Sequence, residues 1–306
     1  MRALVISGGG SKGAFAGGIA QYLLEVEKRD YDLYLGTSTG SLLMPHLANN
    51  QIEKAYENYT TVTQRKIFSN NPFIVKKKGG REYVGINHLN VLWQIIKGKR
   101  TFGESKALRR NIRRSFLEVE FNQLKQLDKE IVVTVSNLTK NSIEYKSLKD
   151  FEYEEYCEWI WIGCNYIPFM SLVKKNGFEY ADGGFGAVVP IREAIRRGAT
   201  EIDAIILETE TMERNNVLGR NPFSLMVNLF AYLLDQVEHN NILVGKLAAQ
   251  NKNVKLNLFY TPTSLTENSL IFNRKQMKLW WQQGFIYAGQ KIKKDREQRL
   301  RTKDIA

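Results

Sequence analysis

The stretch YDLYLGTSTGSLL, Tyr31 to Leu43, changes character at its centre. A short apolar, β-rich run from Tyr31 to Leu35 meets Gly36-Thr37-Ser38-Thr39-Gly40, and a helical pattern begins at Ser41. G-x-S-x-G between a strand and a helix is the context of a nucleophile elbow: flanking glycines allow a sharp turn that pushes the serine out at the end of a sheet. The plainer reading of Ser38 is the N-cap of the helix that follows. The two differ in what the rest of the chain must supply, because an elbow also needs donors for a developing oxyanion and a base.

Donors are suggested by SGGGSKGAFAGG, Ser7 to Gly18, which follows the apolar run Ala3 to Ile6. Six glycines in twelve residues carry a large entropic cost on folding, so the backbone there must be approached closely or bent where a side chain would interfere. Gly8, Gly10 and Gly13 formally fit the dinucleotide fingerprint, and Asp30 and Asp32 lie near the distance of its ribose-binding acid. That acid closes the second strand, however, and Asp32 opens this one. A Walker A loop is excluded because Gly13 follows Lys12 where Ser or Thr is required. As an oxyanion loop, Gly8, Gly9, Gly10, Ser11, Lys12 and Gly13 present N–H groups at a helix start, joined by the N–H of Thr39. Losing one such donor typically costs ~3–4 kcal/mol of transition-state stabilisation.

Of the three histidines, His46, His88 and His239, only His239 lies well downstream of Ser38, and its helical DQVEHNN setting reads as a solvated face. Asp182 in YADGGFGAVVP is the stronger base, at the end of the strand Phe178 to Ala181 with Gly183 and Gly184 clearing space around it. An Asp-Gly turn is its alternative. An ordinary carboxylate with pKa ~3.9 is a poor base at neutral pH; burial or a short hydrogen bond to the serine improves it.

Gly8-Gly9-Gly10-Ser11-Lys12-Gly13, Gly36 to Gly40 and Asp182-Gly183-Gly184, in this order, resemble the oxyanion, elbow and D-G-G motifs of the patatin-like phospholipase family. CNYIPFM, Cys164 to Met170, resembles the family's proline-containing stretch before the D-G-G strand, and VVPIREAIRRGATEIDAIIL its following helix and strand. The likeness covers most of Met1 to Leu207. It implies a Ser–Asp dyad without histidine, with Ser38 as nucleophile and Asp182 as general base, acting on acyl esters of phospholipids or neutral lipids. It also implies a three-layer α/β/α fold related to α/β hydrolases.

The residue pattern agrees with an α/β fold whose central sheet is mainly parallel and covered on both faces. Strands are expected at Ala3–Ser7, Tyr31–Leu35, Ile131–Asn137, Ser142–Tyr145, Phe178–Ala181, Ile202–Leu207 and Val254–Tyr260. Helices are expected at Ala14–Lys28, with Phe15, Ile19, Leu23 and Val26 on one face, and at Ser41–Asn49, Ile191–Gly198, Ser224–Ala249 and Gln276–Arg296. Residues 50–127 read as helices with a basic loop at Lys76–Arg81. One domain over residues 1–300, with a polar frayed tail at 301–306, is the simplest organisation.

The chain has 306 residues, 43% hydrophobic and 25% charged, with a formal net charge of +12. The excess fits an anionic partner, and beside the motifs it favours a lipid surface over nucleic acid, at roughly 1 kcal/mol per basic residue near such a surface. Apolar and basic residues adjoin in NPFIVKKK and LNVLWQIIKGKR. Two cysteines give no disulfide framework, the histidine spacing offers no zinc site, and no cofactor is expected. Without a signal-peptide pattern the expectation is cytoplasmic, peripheral at the membrane. The remaining alternatives are a nucleotide-binding protein using the Gly8–Gly13 loop and an inactive basic binding protein.

Overall fold

A computed structural model describes residues 1–78, 81–211, 222–266 and 268–303. The first half contains β1 (Arg2–Ile6), α1 (Gly13–Gln21), β2 (Leu33–Thr37), α2 (Thr39–Ala48), α3 (Ile52–Thr60) and α4 (Gln64–Ile67). β3 (Phe73–Lys78), β4 (Arg81–Ile86), α5 (His88–Ile96), α6 (Lys106–Ser115) and α7 (Glu118–Gln126) come next. β5 (Glu130–Asn137), β6 (Ser142–Ser147), α8 (Tyr153–Gly163), β7 (Val173–Lys175), β8 (Phe178–Asp182) and α9 (Ile191–Arg196) follow. The chain ends with β9 (Glu201–Thr209), α10 (Pro222–Asn251), β10 (Lys255–Thr261) and α11 (Arg274–Lys303).

The apolar runs form central strands because both of their faces are buried. Leu4 and Ile6 enter one core with residues of α1, α2, α8 and α11, while Ala3 and Val5 enter a second core with residues of α9. Successive strand residues point to opposite faces, so one four-residue run serves both layers. The result is a three-layer α/β/α arrangement.

Strands β10, β9, β1, β2 and β5 are neighbours in that order, and each pair is parallel. The sheet is mainly parallel, as expected; beyond these strands, β6 and β8 both run antiparallel to β5. β6 pairs with residues 132–137 of β5, overlapping the stretches used by β2 (130–134) and by β8 (135–137). A strand has only two hydrogen-bonding edges, so β2 and β8 must share the edge that β6 leaves free. They meet there end to end: Thr37 of β2 lies opposite Thr134, and Asp182 of β8 lies opposite the next residue, Val135. β8 is folded back on β7 through Asn176-Gly177, where φ is 51° and 83°. Asn-Gly with two positive φ values is the favoured two-residue hairpin turn.

Three further expectations are corrected. The helix after the glycine loop departs from α geometry at Tyr22–Val26, a π turn, so Phe15, Ile19 and Leu23 are buried but Val26 is turned outward. The basic loop at Lys76–Arg81 is a hairpin, β3–β4, whose register pairs Lys78 with Arg81; Gly79 and Gly80 lie outside the described residues. The frayed tail from residue 301 is helical through Lys303, and residues 304–306 lie outside the described residues.

α11 packs across α1 through glycines. A Cβ on Gly18 would come within 2.8 Å of the Phe285 nitrogen, and one on Gly284 within 3.0 Å of the Phe15 carbonyl carbon. Backbone atoms cannot give way as a flexible side chain can. Gly284→Val is therefore expected to lower stability by roughly 1–3 kcal/mol, the usual range for overpacking, as read from urea unfolding. An unchanged midpoint would show that the two helices separate at little cost.

Candidate active site

The elbow is built from a close approach of two backbones. A Cβ on Gly36 would overlap the Gly40–Ser41 peptide, and one on Gly40 would overlap the Ile6 carbonyl of β1. Any side chain at these positions would push α2 away from the sheet. Between them Ser38 adopts φ 51°, ψ −115°, a strained region for a residue with a side chain. Its hydroxyl makes no capping hydrogen bond, so the plain N-cap reading does not hold. The turn is held from outside by Thr134 Oγ1 and Ser41 Oγ, which donate to the Gly36 carbonyl at 3.0 and 2.9 Å, and by the Cys164 thiol, which donates to the Ser38 carbonyl at 3.2 Å.

Asp182 arrives from the opposite direction. It is 2% exposed and anchored at its backbone, where its N–H donates to the Asn165 carbonyl at 2.9 Å and its carbonyl accepts from Ser136 Oγ at 2.8 Å. Gly184 N–H donates to Oδ1 at 2.8 Å, which fixes the carboxyl plane. Gly183 packs against the Thr134 backbone with no room for a Cβ. Oδ2 has no partner of hydrogen-bond geometry among the described residues. Burial pushes the Asp182 pKa up to about 6, and the nearby Ser38 hydroxyl and the Gly184 N–H offset part of that rise.

Four N–H groups of the glycine loop are already engaged. Gly8 N–H donates to the Val188 carbonyl at 3.2 Å, Ser11 to Ser269 at 2.7 Å, Lys12 to Gly9 at 3.1 Å, and Gly13 to the Gly10 and Ser11 carbonyls. Gly9 and Gly10 N–H have no acceptor among the described residues. Gly10 holds φ +52°, against the Ser269 carbonyl, a conformation and a proximity that both demand glycine. The N–H of Thr39, in the first turn of α2, has no intrahelical acceptor. The Lys12 ammonium is buried and paired with Glu208 at the end of β9, so it is held by the protein and not free in solvent.

Gly9, Gly10, Ser38, Thr39 and Asp182 line one cavity of about 1370 Å³. Gly8, Lys12 and Gly184 also reach its wall, whereas Ser11, Gly13, Gly36, Gly40 and Gly183 stand behind it as packing. Apolar side chains such as Leu43, Ile112, Phe116, Ile160 and Phe169 form much of the remainder. His46 lines the cavity too, but burial pulls its pKa down to about 4 and leaves it neutral. His88 and His239 are exposed. Asp32 precedes β2, at the end of the sheet away from the glycine loop, where its carboxylate accepts from Arg2 N–H at 2.6 Å. The acid that a dinucleotide site requires is therefore not beside the loop.

One contributor has no motif to betray it. Tyr59 of α3 is buried, and its hydroxyl touches both the Gly10 carbonyl and Thr39 Oγ1. A carbonyl can only accept, so Tyr59 donates its single proton to Gly10 and Thr39 must donate to Tyr59. This relay ties the glycine loop to the start of the elbow helix. Burial raises the Tyr59 pKa, which keeps the phenol protonated.

Comparison with known proteins places the chain in a family. A sequence profile described as patatin-like phospholipase matches residues 4–195, from β1 through α9. The chain belongs to the patatin-like phospholipase family. It is also similar to an uncharacterized Escherichia coli (strain K12) protein, YjjU, at 25% identity over 217 residues, covering 66% of this chain and 51% of that protein. The chain thus spans about half the length of that curated relative. Among solved structures, VipD from Legionella pneumophila aligns over 94% of this chain and 66% of its own, at 14% identity and a TM-score of 0.41. Family membership supports a lipid acyl hydrolase in general terms.

Two outcomes follow from the geometry. Asp182 has a folded pKa of about 6, above the ordinary carboxylate value of ~3.9. The folded state therefore holds the proton more tightly, and the stability this confers is fully present below pH ~3.9 and lost as pH rises through about 6. Asp182→Asn should accordingly gain stability over the native chain as pH rises from 4 to 8; parallel curves in urea would refute the buried charge. Tyr59→Phe removes two hydrogen bonds and strands the Gly10 carbonyl and the Thr39 hydroxyl; it should lower kcat for ester hydrolysis by roughly fivefold to thirtyfold, with KM little changed. A purely structural tyrosine would instead lower the melting temperature and leave kcat intact.

Proposed function

We propose that the protein is a serine hydrolase that cleaves fatty-acyl esters of phospholipids or neutral lipids with a Ser38–Asp182 dyad. The observation that carries this reading is a buried carboxyl with one free oxygen and a pKa of about 6, standing beside a strained serine on the wall of a largely apolar cavity. At neutral pH that carboxyl is mainly ionised, yet more basic than an ordinary one, as a general base should be.

In the first half-reaction Ser38 Oγ attacks the ester carbonyl carbon while Asp182 Oδ2 takes its proton. The carbonyl oxygen becomes an anion that the N–H groups of Gly9, Gly10 and Thr39 can receive. Collapse breaks the ester C–O bond, and Asp182 returns the proton to the departing alcohol. A water then gives its proton to Asp182 and attacks the acyl-serine carbonyl carbon; collapse breaks the acyl–Oγ bond, Asp182 returns the proton to Ser38 Oγ, and the fatty acid leaves. Gly8, Ser11, Lys12 and Gly13 shape the loop in this scheme without donating to the oxyanion. The Lys12–Glu208 pair steadies it. The apolar wall suits an acyl chain, and the substrate would be met at an anionic lipid surface.

A fluorophosphonate probe tests the assignment. Labelling should occur in the native protein and vanish in Ser38→Ala, and Asp182→Asn should abolish turnover while remaining folded. Hydrolysis should rise with pH through about 6 and then level off. His46→Gln, His88→Ala and His239→Ala should each retain most of the activity. Any one of them as damaging as Ser38→Ala would overturn the dyad.

A further inference from the structure

Helix α5 is inside out. Its sequence repeats large apolar residues at Leu89, Leu92, Trp93 and Ile96, the i, i+3, i+4, i+7 spacing of a stripe that normally faces a core. Here the stripe faces solvent: Leu89 is 80% exposed, Ile96 67%, and Leu92, Trp93 and the flanking Ile95 are each more than half exposed. The inward face is polar. Asn90 Nδ2 donates to the Asn71 carbonyl at 2.9 Å, and Gln94 is buried with no partner for its Nε2 among the described residues. A helix that buries amides and exposes leucine and tryptophan is arranged for an apolar neighbour outside the molecule.

Charge narrows the choice of neighbour. Residues 73–115 contain twelve Lys/Arg and two Glu, so this stretch supplies ten of the chain's twelve net positive charges. No acidic residue occurs between Glu82 and Glu104. The turn that ends α5 carries Lys97, Lys99 and Arg100, all exposed, with the Lys97 ammonium 4.7 Å from the Trp93 ring centre. Lys99 and Arg100 pair with Glu104 and Glu179 at the protein surface. An apolar face bordered by cations, with tryptophan among its residues, is the composition of a helix lying in a lipid interface.

Position narrows it further. Val84, Ile86 and His88, at the approach to α5, line the cavity that holds Ser38. So do Asn228, Phe230, Ala231 and Leu234 of α10, whose outer side exposes a second stripe at Leu225, Leu229, Tyr232 and Leu233. Two exposed apolar stripes thus border the same cavity.

We propose that α5, together with the first half of α10, is a docking face for an anionic lipid bilayer, holding the cavity mouth against the surface from which substrate is drawn. The choice of a bilayer rests on the lipid-ester reading of the site; a second copy of the chain or another protein would be different occupants of the same face. The test uses phosphatidylcholine vesicles with and without phosphatidylglycerol, the full chain, and the variant Leu92→Gln/Trp93→Gln/Ile96→Gln. None of these three residues lines the cavity, and polar groups at exposed positions do not disturb the core.

The native chain should co-sediment with the phosphatidylglycerol vesicles and be released as salt rises. The triple variant should lose that binding by about tenfold or more, while keeping fluorophosphonate labelling and hydrolysis of a soluble short-chain ester. Ser38→Ala should bind vesicles as the native chain does. Equal vesicle binding by native and variant proteins would overturn the docking face. So would a native oligomer in sedimentation that the variant converts to monomer without any loss of vesicle binding. Loss of labelling and hydrolysis in the native protein, with vesicle binding still dependent on α5, would remove the hydrolase reading and leave the lipid face in place.

Discussion

The rest of the site depends on how one edge of β5 is shared. Because β6 occupies the other edge, β2 and β8 must follow one another along the same row of backbone groups, one parallel to β5 and one antiparallel. Thr37 and Asp182 therefore fall opposite consecutive residues of β5, and Ser38 follows immediately after Thr37. Their separation is set by ladder hydrogen bonds, which resist sliding because a slip of one residue would turn each side chain to the wrong face. A loop could not hold a serine and a carboxyl to that tolerance. Everything else at the site braces this junction. Ser136 and Asn165 hold the Asp182 backbone and Gly184 its carboxyl, while Thr134, Ser41 and Cys164 hold the elbow.

The glycine loop is braced in the same manner from different parts of the chain. Ser269, far downstream, accepts from Ser11; Val188, just beyond the D-G-G turn, accepts from Gly8; and Tyr59 closes the link to Thr39. Each of these contacts uses up a polar group that would otherwise be available, and Gly9 and Gly10 are what remain. In the proposed reaction, donors fixed in advance by their neighbours need no reorganisation when charge develops beside them, which is where such groups gain their effect. α11 adds a mechanical element by clamping α1, the helix on which the loop ends.

Much of this is legible in the sequence, for a physical reason. Glycine is required where backbones touch, so Gly10, Gly36, Gly40 and Gly183 mark close approaches by residue type alone. Continuous apolar runs mark strands buried on both faces. The β7–β8 hairpin is readable in Asn176-Gly177 but is easily passed over in a chain whose other strands are mostly parallel. Gly79-Gly80 between two β-rich runs is a similar signal for the β3–β4 hairpin. Tyr59 is not readable, because nothing local distinguishes a tyrosine that bridges two distant loops from one that fills a core. The orientation of α5 is equally hidden: periodicity defines a stripe and is silent on whether the stripe turns in or out.

With the proposed role of Ser38 as nucleophile, its backbone sets folding and chemistry against each other. A φ of 51° costs any residue with a side chain on the order of 1–3 kcal/mol, and glycine would occupy the same position without that strain. Selection for a stable fold alone would thus favour losing the serine. Copies of this chain released from their chemical task should drift at position 38 before they drift in the sheet beneath it. Such descendants would keep the architecture, the cavity and the basic surface, and would be recognisable as relatives that bind without turning over.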